Sequence, residues 1–212
     1  PNLRALAPVA TALESLEDSK IRFSLFDRVR VEPTDESFRE AARAAQSAPF
    51  DALVAVGGGS TIDTAKAANL YSCYPADFLD YVNPPVGKGL PVPGPLKPMV
   101  AIPTTAGTGS EVTRYTIITD PVTSVKMVII DPHLIPEVAI DDPLFTVTCS
   151  ALVTASTGVD ALTHAIEGYA STWHNDFCDG LCLQAARLIF DWLPKACAAG
   201  NDLEAREKMH NA

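Results

Sequence analysis

The stretch AVGGGSTIDTAK at residues 55–66 constrains the fold more than any other part of the chain. The apolar run Ala52-Leu53-Val54-Ala55-Val56 reads as a buried parallel strand, since strands covered on both faces lose the polar–apolar alternation. It runs directly into Gly57-Gly58-Gly59-Ser60, and helical spacing begins at once with Ile62, Ala65 and Asn69. Strand, glycine loop and helix start together direct backbone N–H groups and a helix N-terminus at one anion. Three glycines leave no Cβ in the path of a phosphate. The ligand implied is a pyrophosphate. The loop is neither G-x-G-x-x-G nor a Walker A loop, and a plain glycine-rich turn in an α/β sheet fits the same residues, so locally both readings stand.

At 212 residues the chain can form one large domain or one and a half ordinary ones. A hydrophobic share of 47% with 20% charged residues is ordinary globular composition. The net charge of −10 argues against nucleic-acid and anionic-membrane partners. A phosphate ligand stays open, because backbone N–H groups supply their own local field. No apolar run is long enough to cross a bilayer, and no signal segment opens the chain. The five cysteines, Cys73, Cys149, Cys178, Cys182 and Cys197, form no metal or redox spacing and read as buried reduced thiols of a cytosolic protein. Pro1, without a methionine, and the helical character around Ala212 read as cut ends.

Taken in order, residues 3–17 carry a helical stripe interrupted at Pro8, and alternation over Ile21–Phe26 predicts a strand. Thr34 suits the N-cap of a helix over 35–47 with Phe38, Ala41, Ala42 and Ala45 inside. This β-α-β-loop-α order marks a parallel sheet with helices on its faces. Residues 75–98 form a proline- and glycine-rich excursion too ordered in composition for a flexible linker. The strand Met99–Pro103 then ends in a second loop of small and hydroxylated residues, Thr104 to Glu111. Ligands in open α/β sheets sit off such strand ends, so two loops in succession strengthen the nucleotide reading. A hairpin over 112–119 and 124–130 turns at Asp120-Pro121-Val122-Thr123, and Val138–Asp141 is a short last strand. Lys126, on the second hairpin strand, serves either a solvated face or a phosphate or ribose contact. From Thr148 onward the periodicity is helical, so the expected organisation is an α/β domain over 1–147 followed by an all-α one over 148–212.

Asp160 and His164 lie four residues apart and project from one helix face. A carboxylate and an imidazole so placed can share a divalent ion, or simply bond each other on a helix surface. Apolar neighbours (Val159, Ala161, Leu162, Ala165, Ile166) set the pair apart from a plainly solvated helix. His133, His174 and His210 have no ligand spacing and read as surface histidines.

GGGSTIDTAKA, PTTAGTGSE, KMVIIDPHLIP and GVDALTHAIEGY, in this order and spacing, resemble the iron-dependent alcohol dehydrogenase family. The resemblance implies a Rossmann-like N-terminal domain for NAD or NADP, joined to a helical domain carrying catalytic Fe²⁺ or Zn²⁺, an architecture shared with dehydroquinate synthase. By the same resemblance Gly58, Gly59, Ser60 and Asp63 would cradle the pyrophosphate. Thr104, Thr105 and Thr108 would contact nucleotide, Lys126 would reach the ribose or phosphate side, and Asp160 and His164 would be catalytic as the first two metal ligands. RVEPTDESF, KAANLY, DFLDYV and GKGLPV are most similar to the hydroxyacid–oxoacid transhydrogenase branch, which moves a hydride between 4-hydroxybutyrate and 2-oxoglutarate. KMVIIDPHLIPEVAIDDP is closer to the general alcohol dehydrogenases. The family pattern continues to two further histidines downstream of this chain and begins with a strand upstream of it. A catalytically incomplete nucleotide-binding fragment is therefore a rival reading. A lyase or synthase of the dehydroquinate synthase kind would want basic residues near the metal pair, which are few. The expected partners are a small alcohol or hydroxyacid and further copies of the chain, as in a dimer, with the cytoplasm as default location and a mitochondrial origin allowed.

Overall fold

The computed structural model describes residues 3–212, and it divides into two compact units. The first runs to Ile102 and resumes over Ser110–Ile140; the second takes Pro103–Gly109 and Asp141–Ala212. The part of the threonine loop from Thr104 to Gly109 thus belongs to the second unit, whereas its Ser110 and Glu111, like most of the strand leading into it, belong to the first.

In the first unit, helix α1 (Ala7–Asp18) starts with Pro8 in its first turn, where the missing N–H costs nothing, so the proline opens the helix instead of interrupting it. The strand expected over Ile21–Phe26 does not form. Those residues are irregular, and Ile21, Phe23 and Leu25 are each at least 40% exposed. Among the described residues no strand pairs with them, and an isolated strand leaves its backbone groups to water. Helix α2 (Asp35–Gln46) is capped as expected: Thr34 Oγ1 accepts from Ser37 N at 3.3 Å, and Ser37 Oγ accepts from Thr34 N at 2.9 Å. Phe38, Ala41 and Ala42 are buried, Ala45 only partly.

Strands β1 (Leu53–Gly57), β2 (Met99–Pro103) and β5 (Val138–Ala139) form one sheet in the order β1-β2-β5, with β2 and β5 parallel. The burial expected for β1 on both faces is not found: Val54 is 46% exposed while Ala55 is buried. Among the described residues β1 lies at the sheet edge, with a neighbour on one side. Helix α3 (Gly59–Cys73) is buried nearly all round, packing on β1 and against α2. Its Leu70 and Tyr71 meet Phe38, Phe78, Val82, Ile118 and Ile129 in the main core.

The excursion over 75–98 is ordered by specific bonds. The short helix α4 (Phe78–Tyr81) is tied by Tyr71 Oη donating to Phe78 O at 2.6 Å. The Asn69 side-chain amide brackets Lys97, donating to its carbonyl at 2.7 Å and accepting from its N–H at 3.2 Å. Strands β3 (Tyr115–Thr119) and β4 (Lys126–Ile130) form the expected antiparallel hairpin. Asp120 holds its turn by accepting from Val122 N and Thr123 Oγ1.

The second unit is built on α5 (Ala151–Ala170), α6 (Asp176–Ala198) and α7 (Leu203–His210). Ser150, Asn175 and Asp202 cap the three helices with side-chain oxygens. Ala161, Ile189, Ala196, Ala205 and Met209 form the core, against which Ala106 of the threonine loop also packs. Trp173, Phe177, Leu181 and Phe190 are each at least 70% exposed. All five cysteines are free, and Cys178 is exposed, contrary to a fully buried set. Among the described residues no helix is long and apolar enough to cross a membrane.

Candidate functional site

In the first unit β1 ends at Gly57, and a side chain there would collide with Thr61, so the chain enters α3 without a Cβ at this bend. Gly58 is the N-cap and offers no side-chain oxygen, which leaves the first N–H groups of α3 free of a capping side chain. Gly58, Gly59 and Ser60 are half-buried. A helix start so arranged is suited to a phosphate.

Asp63 is placed differently from the expectation of a phosphate cradle. It is 6% exposed, and Oδ2 accepts from Ile117 N on β3 at 3.0 Å. Its backbone carbonyl accepts from Thr116 Oγ1 at 2.9 Å. Burial pushes its carboxyl above the usual carboxylate range, with Lys66 and Ser110 acting in the opposite sense. A carboxylate at a pyrophosphate would add repulsion; here it joins α3 to the hairpin.

Lys66 completes that joint and had no role in the sequence reading. It is 1% exposed, and Nζ donates to the carbonyls of Thr113 at 2.6 Å and Tyr115 at 2.9 Å. Burial lowers its ammonium to about 8, against the favourable charges of Asp63 and Glu111. The signal was there: Lys66 follows Ile62 by four and precedes Asn69 by three, on the inward stripe of α3. Lys126 stands exposed at the start of β4, opposite Thr119. The open groove of about 670 Å³ in this unit is lined by Asp35, Arg39, Phe78, Lys88 and Met127, and by none of the candidate residues.

In the second unit the threonine loop is fastened to the helices. Thr104 is buried, and its carbonyl accepts from Cys149 Sγ at 3.0 Å; Thr105 and Thr108 are half-buried. Asp160 and His164 share a face of α5 with Nε2 and Oδ2 3.6 Å apart. Their side chains are 47% and 57% exposed, so the pair is solvated despite its apolar flanks. Those neighbours divide around the helix: Ala161 and Ala165 face the core, while Val159 and Ile166 face outward with the pair. Carboxylate and imidazole suit a borderline divalent cation. Among the described residues no third histidine, cysteine or carboxylate joins them, so they fit as part of a ligand set.

Arg206 is the hub of this unit. It is 3% exposed and donates through Nε to Gly200 O at 2.8 Å, through Nη1 to Thr154 Oγ1 at 2.7 Å and through Nη2 to Cys149 O at 3.2 Å. His133 pairs with Asp131 at 2.7 Å and His174 with Asp179 at 3.2 Å, as partly exposed histidines. His210 departs from the expected surface position and is half-buried near Asp141, Asp142 and Arg206. Burial lowers its imidazole, and the two aspartates only partly oppose this. A group that charges more readily when unfolded withdraws stability as it takes up its proton. Thermal stability of the helical unit is therefore expected to fall as the pH drops below the ordinary imidazole value of 6.5, and His210→Gln to flatten that slope. A slope unchanged in the variant would remove His210 as its source.

The first unit thus carries a glycine loop at a helix start, and the second, helical unit a carboxylate–imidazole pair. Residues 1–143 match the family profile described as iron-containing alcohol dehydrogenase, and residues 154–212 the Fe-containing alcohol dehydrogenase family, C-terminal. The chain belongs to the iron-containing alcohol dehydrogenase family, whose members are oxidoreductases. It is 46% identical to the mitochondrial hydroxyacid-oxoacid transhydrogenase of Bos taurus, over all of this chain and 50% of that protein. Among solved structures, a 1,3-propanediol oxidoreductase matches 99% of the chain and 53% of its own with a TM-score of 0.90 and 38% identity. The sulfoacetaldehyde reductase of Bifidobacterium kashiwanohense, in complex with NAD⁺, matches 94% of the chain and 54% of its own with a TM-score of 0.83 and 34% identity. The chain spans about half the length of these relatives.

Proposed function

We propose that the chain carries the nucleotide-binding part and the first two metal ligands of a metal-dependent, NAD(P)-linked dehydrogenase acting on an alcohol or hydroxyacid. The observation that carries this is the uncapped start of α3 behind Gly58, in a chain of this family. Backbone N–H groups of Gly58, Gly59 and Ser60 would bind the pyrophosphate, and the partial positive charge of the helix end favours its anion. Hydroxyls of Thr104, Thr105 and Thr108 would orient the nucleotide, and the exposed Lys126 ammonium would meet its ribose or phosphate. Asp160 and His164 would hold iron or zinc. When bound, the nicotinamide would supply hydride-accepting capacity and the cation Lewis acidity toward the hydroxyl oxygen. Asp63, committed to Ile117, is assigned to holding α3 in place.

The transhydrogenase reaction is a second reading, favoured by the 46% identity to the bovine protein. That name also favours a mitochondrial setting over the default cytoplasm. A homo-oligomer is the proposed assembly, and the exposed Trp173, Phe177, Leu181 and Phe190 are the residues that favour one.

NADH titration of the 212-residue chain, with metal analysis of the same sample, tests the proposal. Saturable binding is expected, weakened at least tenfold by Gly58→Val, whose side chain enters the phosphate path. Added Zn²⁺ is expected to bind weakly through Asp160 and His164, and its affinity to drop further in Asp160→Ala. A parent chain that binds neither NADH nor metal refutes the assignment for these residues. Turnover of 4-hydroxybutyrate with 2-oxoglutarate and no added nicotinamide separates the second reading from a simple dehydrogenase.

A further inference from the structure

The geometry points to Gly107 as a positioning residue that sets the spacing between the threonine loop and the face of α5 bearing Asp160 and His164; this rests on the nucleotide role proposed for that loop. Three independent attachments hold the loop to the helical unit. Thr104 O accepts from Cys149 Sγ at 3.0 Å, Ala106 packs on the helical core, and Gly107 lies directly against the backbone of Thr157. A Cβ on Gly107 would stand 2.7 Å from the Thr157 carbonyl carbon and closer still to its oxygen. That neighbour is helix backbone in the middle of α5, so it cannot rotate aside as a side-chain end would. Thr157 precedes Asp160 by three residues, a rise of about 4.5 Å along the helix.

The absence of a side chain at 107 therefore lets the loop, between Thr105 and Thr108, lie against the same helix that presents the metal pair, at Thr157 and less than one turn from Asp160. Any group on Gly107 moves the loop off α5 and carries the threonine hydroxyls with it. Hydride transfer depends on donor and acceptor being held within a few tenths of an ångström, so a spacing set by backbone contact is a device for positioning. Cys149 acts on the same loop from its other end, and Arg206 in turn holds the Cys149 carbonyl.

The test compares NADH binding, read by nicotinamide fluorescence, in the 212-residue chain and in Gly107→Ala. Gly180→Ala is the control, since a Cβ at Gly180 meets nothing within 4 Å. Affinity is expected to fall at least tenfold in Gly107→Ala, with helical circular dichroism retained, and to stay within twofold in Gly180→Ala. Gly107→Ala binding NADH as tightly as the parent overturns the inference while leaving the proposed function standing. A parent chain that fails to bind NADH overturns both. Should Gly107→Ala not fold, Cys149 gives the second reading. Cys149→Val removes the donor to Thr104 O and is expected to weaken NADH several-fold, and Cys149→Ser, which keeps a donor, to restore it. Equal affinity in both Cys149 variants overturns the inference.

Discussion

Replacing Lys66 by methionine is expected to destabilise the α/β unit by about 3–5 kcal/mol, since two hydrogen bonds from a charged donor, each worth about 1.5–3 kcal/mol, are lost together. The variant leaves the Thr113 and Tyr115 carbonyls without their donor and takes away a nearby positive charge that favours the buried Asp63 carboxylate. Against the entropy of a unit this size, the loss corresponds to a melting shift of about 10 °C or more. The double variant Asp63→Asn, Lys66→Met should recover part of it, because the uncompensated charge is then gone. A pH series supplies the signed check. Burial lowers the ammonium to about 8 from 10.5. Between those values the unfolded chain binds the proton and the folded one releases it, so this residue makes stability rise with pH across that window. Neutral lysine still donates two hydrogens, enough for two carbonyls. The rise should be absent in Lys66→Met. A melting shift below about 2 °C, or an unchanged pH slope, would sink this account of the joint.

Replacing Arg206 by methionine is expected to cost the helical unit about 3 kcal/mol, with charged hydrogen bonds worth about 1.5–3 kcal/mol each and three acceptors left behind. Cys149 O and Thr154 Oγ1 come from one part of the sequence and Gly200 O from another, and one guanidinium serves all three. Lysine should rescue little of the loss, since an ammonium cannot span three acceptors set for a planar fork. Differential scanning calorimetry resolves the outcome: an Arg206→Lys variant melting with the parent would show that charge, not fork geometry, holds the unit. The loop carrying Thr104 should loosen with Arg206, because Cys149 donates to Thr104 and accepts from Arg206.

Much of the candidate site was legible because its signals are local. The Ala55–Lys66 stretch announces strand, bend and helix through glycines followed at once by helical spacing, and β1, Gly58 and α3 lie where that pattern sets them. Thr34 gave a cap, Asp120-Pro121 gave a hairpin turn, and spacing of four put Asp160 and His164 on one helix face. Ile21–Phe26 shows the limit of the same logic. Its alternation is real, but a strand exists only where another strand takes up its backbone groups. The apolar neighbours of Asp160 misled in a related way, since nearness in sequence does not say which side of a helix is covered.

By itself, then, the sequence determined the α/β-then-helical order, the phosphate-suited loop and the carboxylate–imidazole pair, all of which follow from residues within one or two turns of each other. Only the tertiary structure decided that Asp63 and Lys66 bind the hairpin about fifty residues on, as separations of 54 and 49 residues in their bonds show. It alone decided that the threonine loop is fastened to the helical unit through Gly107, Ala106 and Thr104. Local pattern reports torsional preference and the direction of each side chain. Which distant backbone a glycine can touch, and which carbonyls a buried ammonium meets, depend on how the completed elements pack.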